Sequence, residues 1–223
     1  MSRFTRLTIL LLVGFLCALW SPWNSWNLSL PVLLGMEPAP EIGGLQVTSL
    51  AGDVVIYIDG FEMGQVASGE SITISPIDPG ERQIRLKRVS DVDNAYWEFN
   101  RLVKFESGID VVIAYELGPT EEFSEGHVIY ATKSPAVING IKLNLDATVE
   151  GATVLLDGNE IGSTPLVSEV LSLDSQHTLK ITKSGYEEQE FKLLPEDQAD
   201  RDKVAGFNLN VTVNLFLQPL PTK

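Results

Sequence analysis

The chain is poor in the side chains that do chemistry. Its 223 residues include one cysteine, Cys17, and two histidines, His127 and His177. A single cysteine excludes an intramolecular disulfide and a cysteine-based zinc site, so packing has to hold the fold. Neither histidine stands at a motif spacing from a nucleophile or a second metal ligand. Basic residues are scarce too: 16 Lys and Arg face 30 Asp and Glu, a formal net charge of −14. That balance repels nucleic-acid phosphates and anionic lipid, which argues against nucleic-acid binding and reads as solubility. Past the N-terminus no long segment repeats its apolar residues with a 3.6-residue period, so helices are few. With 44% hydrophobic and 8% aromatic residues, the chain still carries enough apolar material for one large or two small globular units.

The one long apolar run is N-terminal. Arg3 and Arg6 precede Leu7–Trp20, and Trp20, Trp23 and Trp26 close the stretch. The run suits the apolar core of a signal peptide, yet Phe4–Trp23 reaches the roughly 20 residues of a membrane span if Arg6 snorkels. The tryptophans resemble an interfacial belt, and no good small-x-small cleavage site precedes Ala39. Residues 1–26 are read as an uncleaved signal anchor, a single transmembrane helix, with secretion after cleavage as the alternative. Bulky Leu16 ahead of Cys17 argues against a lipoprotein site and leaves Cys17 as a small apolar residue. No Lys or Arg occurs between Arg6 and Arg82, so the N-terminus is expected in the cytoplasm and the rest outside the cell membrane. Residues 27–43, with Pro31, Pro38, Pro40 and Gly43, form a linker.

Beyond the linker one stretch organises the rest. Thr153–Leu156 is a short strand, Asp157-Gly158 supplies a residue pair that tolerates positive φ in a two-residue hairpin, and Gly162 and Pro165 punctuate the return. A fainter copy lies earlier, with the apolar run Val54–Ile58, then Asp59-Gly60 and Gly64. Asp59 and Asp157 are 98 residues apart, too long for a solenoid period, which suggests tandem units. The second copy resembles the PEGA domain, whose Pro-Glu-Gly-Ala signature stands here as Val149-Glu150-Gly151-Ala152, followed by Asp157-Gly158, Gly162-Ser163-Thr164-Pro165 and Lys183-Ser184-Gly185-Tyr186. The resemblance covers about residues 141–194. A divergent PEGA-like copy covers about 44–117, with Leu50-Ala51-Gly52-Asp53 in place of the signature and no Thr-Pro after Gly64. The resemblance implies small β-sandwiches on prokaryotic cell-surface proteins, usually without catalytic residues.

The expected fold is therefore all-β: two tandem small β-sandwich domains behind the N-terminal hydrophobic helix. The divergent domain spans 44–119, an acidic linker 120–126, and the PEGA domain 127–218. Pattern alone does not say which domain owns the strand His127–Thr132. In Gln83–Val89, alternation sends Ile84, Leu86 and Val89 inward and Arg85 and Lys87 outward. Asp91-Val92-Asp93-Asn94 lacks the glycine and terminal glutamate of a calcium loop and reads as a turn, with Trp97 as a core or edge aromatic. Glu196–Lys203 reads as a solvent-facing loop, and His177 as a polar edge residue.

No constellation of nucleophile, base and orienting group is visible, so the sequence names no catalytic residue, no cofactor-binding residue and no metal ligand. Spatially assembled Ser, His and Asp leave an unrecognised hydrolase as a remote alternative. The expected function is a non-catalytic, membrane-anchored surface or envelope module that binds cell-wall polysaccharide or a protein partner. The alternative is a passive spacer, or an accessory extracytoplasmic subunit without a ligand of its own.

Overall fold

The computed structural model describes residues 43–135 and 140–219. The expected anchor, 1–26, and nearly all of the linker lie outside those residues, and no described helix is long and apolar enough to cross a membrane.

Among the described residues fifteen strands form three sheets. The first seven are β1 (Gly43–Ala51), β2 (Val54–Ile58), β3 (Phe61–Val66), β4 (Ser71–Ile77), β5 (Gly80–Arg88), β6 (Phe99–Phe105) and β7 (Val111–Glu116). The last seven repeat the plan: β9 (Ile141–Ala147), β10 (Thr153–Leu156), β11 (Asn159–Ser163), β12 (Leu166–Leu171), β13 (Thr178–Thr182), β14 (Gln189–Lys192) and β15 (Phe207–Asn214). Between the sets stands β8 (Glu125–Lys133). Each set makes an antiparallel four-stranded sheet, ordered β3-β2-β5-β6 in the first and β11-β10-β13-β14 in the second. The remaining strands join in one seven-stranded sheet, β12-β9-β15-β8-β7-β1-β4.

That joint sheet corrects the expected boundary. Strand β8 belongs to both halves: it pairs antiparallel with β7 through Val112↔Ile129 and with β15 through Val211↔Ile129. Alternation along β8 then decides what each residue serves. Val128 enters the first core with Val111, Ile113 and Tyr115, while Ile129 enters the second with Leu209, Val211 and Val213. The small sheet of the first half therefore covers one face of the large sheet, and that of the second half covers the opposite face. Because β7 and β15 both run antiparallel to β8, the halves are related by an approximate twofold along β8.

The stretch 120–126 is likewise no free linker. Glu121–Phe123 forms a single 3-10 turn, and Glu125 and Gly126 already belong to β8. Buried Asn214 donates its side-chain amide to Glu121 O (2.8 Å) and Ser124 O (3.0 Å), and Leu217 N–H donates to Glu122 O (2.9 Å). The Ser124 hydroxyl donates to Thr120 O (2.7 Å) and accepts from Gly118 N–H (2.9 Å). Backbone groups that solvent would satisfy in a linker are held here by the second half.

Local expectations fare better where alternation is long. Ile84 and Leu86 are buried, and Trp97 packs on the first core with Phe99 and Tyr115 at ring separations of 6.2 and 6.1 Å. Val89 is exposed instead of inward: it is an odd number of residues from Ile84 and Leu86, so strand alternation sends it to the opposite face, and β5 already ends at Arg88. Glu196–Lys203 faces solvent as expected except at Arg201, which is buried, and Gln198–Lys203 forms the helix α1 in place of the expected loop. The Arg201 guanidinium donates to the carbonyls of Leu173 (3.0 Å), Pro195 (2.9 Å) and Glu196 and to Gln198 Oε1 (2.8 Å), which satisfies the buried cation with neutral acceptors.

Candidate functional site

The marks shared by the two halves turn out to be clasps. In the second half Asp157 and Gly158 hold φ of +50° and +82°, as the hairpin between β10 and β11 demands. Asp157 does more than turn the chain. Its Oδ1 accepts from Thr178 N–H (2.8 Å), and its Oδ2 lies 2.6 Å from His177 Nδ1. These bonds hold the Asp157 carboxyl below the usual carboxylate range. His177 Nε2 faces Ser172 O at 3.1 Å, so the ring ties three segments together instead of lining an edge. The first half repeats the device: Asp59 Oδ1 accepts from Gln83 N–H (2.9 Å), and Oδ2 pairs with Arg82 (3.2 Å).

The signature loop 149–152 is clasped as well. The Thr164 hydroxyl donates to Val149 O (2.9 Å) and accepts from Ala152 N–H (3.0 Å), while Gly151 N–H donates to Thr164 O (2.8 Å). Lys183 Nζ donates to Glu150 O (3.1 Å) and Gly151 O (2.9 Å). In the first half, Ser68 Oγ accepts from Gly52 N–H (2.9 Å), and Arg88 crosses the loop to donate to Leu117 O (2.9 Å). Arg88 stands as far after Arg82 as Lys183 does after His177, so a cation serves the same place in both.

Residues 141–199 match the PEGA domain family. The match begins with the first residue of β9 and ends inside α1, so it takes in the hairpin, both clasps and β14. No curated protein matches the chain. The PEGA half thus carries its signature residues as internal braces, and the first half keeps the bracing geometry with different side chains.

Two changes test that assignment. Gly158→Val is expected to cost about 1–3 kcal/mol from backbone strain alone, since no atom lies within 4 Å of a Cβ built there. A urea midpoint equal to that of the parent would mean the turn tolerates a β-branched residue. Thr164→Val keeps shape but leaves the buried Ala152 N–H without its acceptor, a loss of about 2 kcal/mol that Thr164→Ser should largely restore.

Among the described residues, a feature with room for a ligand lies beside the PEGA half. A cleft of about 690 Å³ opens where its small sheet stops and the large sheet continues. Gln46, Thr73, Val112 and Ile129 form the floor, with Ile109 and Asp110 on one bank and Lys192, Glu196 and Lys203 on the other. Sequence reasoning missed it because its walls come from both halves. Asp91, Asp93 and Asn94 stay in a turn, with Asn94 at φ +55°, and among the described residues no three His, Cys, Asp or Glu side chains gather as a metal site. His127, which no motif singled out, stacks on Phe191 at 3.8 Å with the rings 11° apart. Burial pulls its pKa down to about 4.

Proposed function

We propose that the chain is a non-catalytic, extracytoplasmic binding module tethered to the cell membrane by its N-terminal segment, and that it engages a component of the cell envelope, either cell-wall polysaccharide or a protein. The PEGA match supports a surface location. The cleft carries the binding reading: a floor of apolar Val112 and Ile129 beside polar Gln46 and Thr73 lies between banks that hold both signs of charge, a combination typical of ligand sites. The clasps offer no competing chemistry, because their Asp, His, Thr and Lys side chains are committed to structural hydrogen bonds.

Fractionation of cells expressing the full chain tests the location. An intact N-terminus in the membrane fraction, with the β domain cut by protease added to intact cells, is the expected result. A new terminus near Asn27 or Ala39 with the protein in the medium would replace the anchor with a cleaved signal. Saturable binding to isolated envelope is the expected result for the module. The spacer alternative draws on the shared seven-stranded sheet, which joins both halves without a free linker. Absence of saturable binding to envelope fractions would favour it.

A further inference from the structure

Strand β14 is one of the two edges of the PEGA half's small sheet, opposite β11, and β13 is its one partner among the described residues. Leu193 N–H donates to His177 O (3.0 Å), and in an antiparallel ladder the bonding residues alternate. Gln189, Phe191 and Leu193 therefore turn their peptide groups toward β13, while those of Glu190 and Lys192 point away from it. Lys192 borders the cleft.

The floor next to that edge differs from its counterpart. Gln46 and Val112 stand 98 residues before Asn144 and Asn210, the same spacing as Asp59 and Asp157. On the second half's strip the polar groups satisfy one another: Asn144 Nδ2 donates to Asn210 Oδ1 (3.2 Å), and Asn210 Nδ2 donates to Thr132 Oγ1 (2.9 Å). On the first half's strip Val112 replaces Asn210, and half-buried Val112 and Ile109 continue the apolar surface of the second core. An open strand edge beside an apolar strip is the arrangement that an added β-strand completes.

We propose that the cleft receives an extended peptide segment of a partner protein, which pairs with the outward peptide groups at Lys192 and lays alternate apolar side chains on Val112 and Ile129. Lys192 is exposed on the solvent side of β14, and its ammonium donates to the neutral Thr178 hydroxyl (2.6 Å). A residue paired directly opposite Lys192 is best matched by a carboxylate, whereas Glu190, exposed on the same face, disfavours one, so the segment carries Asp or Glu at the position opposite Lys192. This assignment rests on the reading of the chain as a binding module and names the class of partner.

The probe is a fluorescein-labelled heptapeptide of alternating valine and threonine with glutamate at the central solvent-side position, titrated with the full chain in detergent and followed by anisotropy. Saturable binding is expected, weakened at least about tenfold by Val112→Lys and by Lys192→Pro, where tenfold corresponds to about 1.4 kcal/mol. Proline is tolerated where the strand N–H faces away from its partner, so Lys192→Pro should retain the parent melting temperature. Lys192→Ala keeps the N–H and should weaken binding only about two- to fivefold, the scale of an exposed charge pair. The same peptide N-methylated at alternate amides probes the ladder without altering the protein and should not bind.

Absence of saturable peptide binding overturns the proposal, as does equal loss in Lys192→Pro and Lys192→Ala, or undiminished binding of the N-methylated peptide. Envelope binding that persists while the heptapeptide fails would overturn the groove assignment and leave the binding module standing. Binding of soluble cell-wall glycan that Val112→Lys abolishes, with no peptide binding, would reassign the cleft to a glycan.

Discussion

Gly118→Ala is expected to destabilise the described region strongly, at a cost on the order of 3–5 kcal/mol. A Cβ at this position would overlap the carbonyl oxygen of Phe123 and stand 2.6 Å from its carbonyl carbon. Neither atom belongs to a flexible side chain. The surrounding backbone is tied on every side: Gly118 O accepts from Trp97 N–H (2.8 Å), Gly118 N–H donates to Ser124 Oγ (2.9 Å), and Phe123 stacks edge-on against Phe216 at 5.8 Å. Relief would require moving the 3-10 turn, and with it the start of β8, which both cores use. The melting temperature should fall by roughly 10 °C or more, at about 2–4 °C per kcal/mol for a domain of this size. A parent-like melting curve would show that the segment 118–124 can move without disturbing β8.

Acidification below pH 6.5 is expected to remove about 3 kcal/mol of stability through His127, reaching its full extent near pH 4. The ring lies between β8 and the face of Phe191, where burial holds its pKa at about 4 against 6.5 for the free side chain. Within that window the unfolded chain takes up a proton that the folded chain refuses. The stabilisation is therefore complete above pH 6.5 and declines as the pH falls. Glu125, two residues earlier on β8, works in the opposite direction: burial, then the charges of Glu116 and Glu187, raise its pKa, so the folded state binds that proton more readily. The difference between the parent and His127→Phe isolates the histidine. Urea stability should converge or cross as the pH is lowered from 7 to 4, the variant losing less. Parallel profiles would mean that water reaches the imidazolium in the folded protein.

Short-range features were legible in the sequence wherever local chemistry fixes local geometry. Asp157-Gly158 and Asp59-Gly60 declared their hairpins because few residue pairs accept positive φ twice, and all four adopt it. Alternation in Gln83–Lys87 set the buried face correctly, since one backbone period governs every side chain in a strand. The PEGA signature was visible as residue types, but its purpose was not. That Thr164 and Lys183 brace the loop 149–152 depends on contacts across 12 to 33 residues. The His177 clasp was hidden for the same reason, as its partner Asp157 is 20 residues away.

The sequence by itself determined an all-β chain, a duplicated plan with a 98-residue spacing, and a PEGA unit in the second copy, because strand alternation and turn residues act over a few positions. Only the tertiary structure decided that the copies are not separate domains. Strand β8 is apolar on both faces, with Val128 and Ile129 adjacent, and such a pattern is satisfied equally by a strand buried within one sandwich or shared between two. The choice lies in which edges it pairs with, and edge pairing is a long-range property that no local periodicity records. The cleft beside β14 follows from that same choice, because placing the two small sheets on opposite faces leaves each with an uncovered strip of the common sheet.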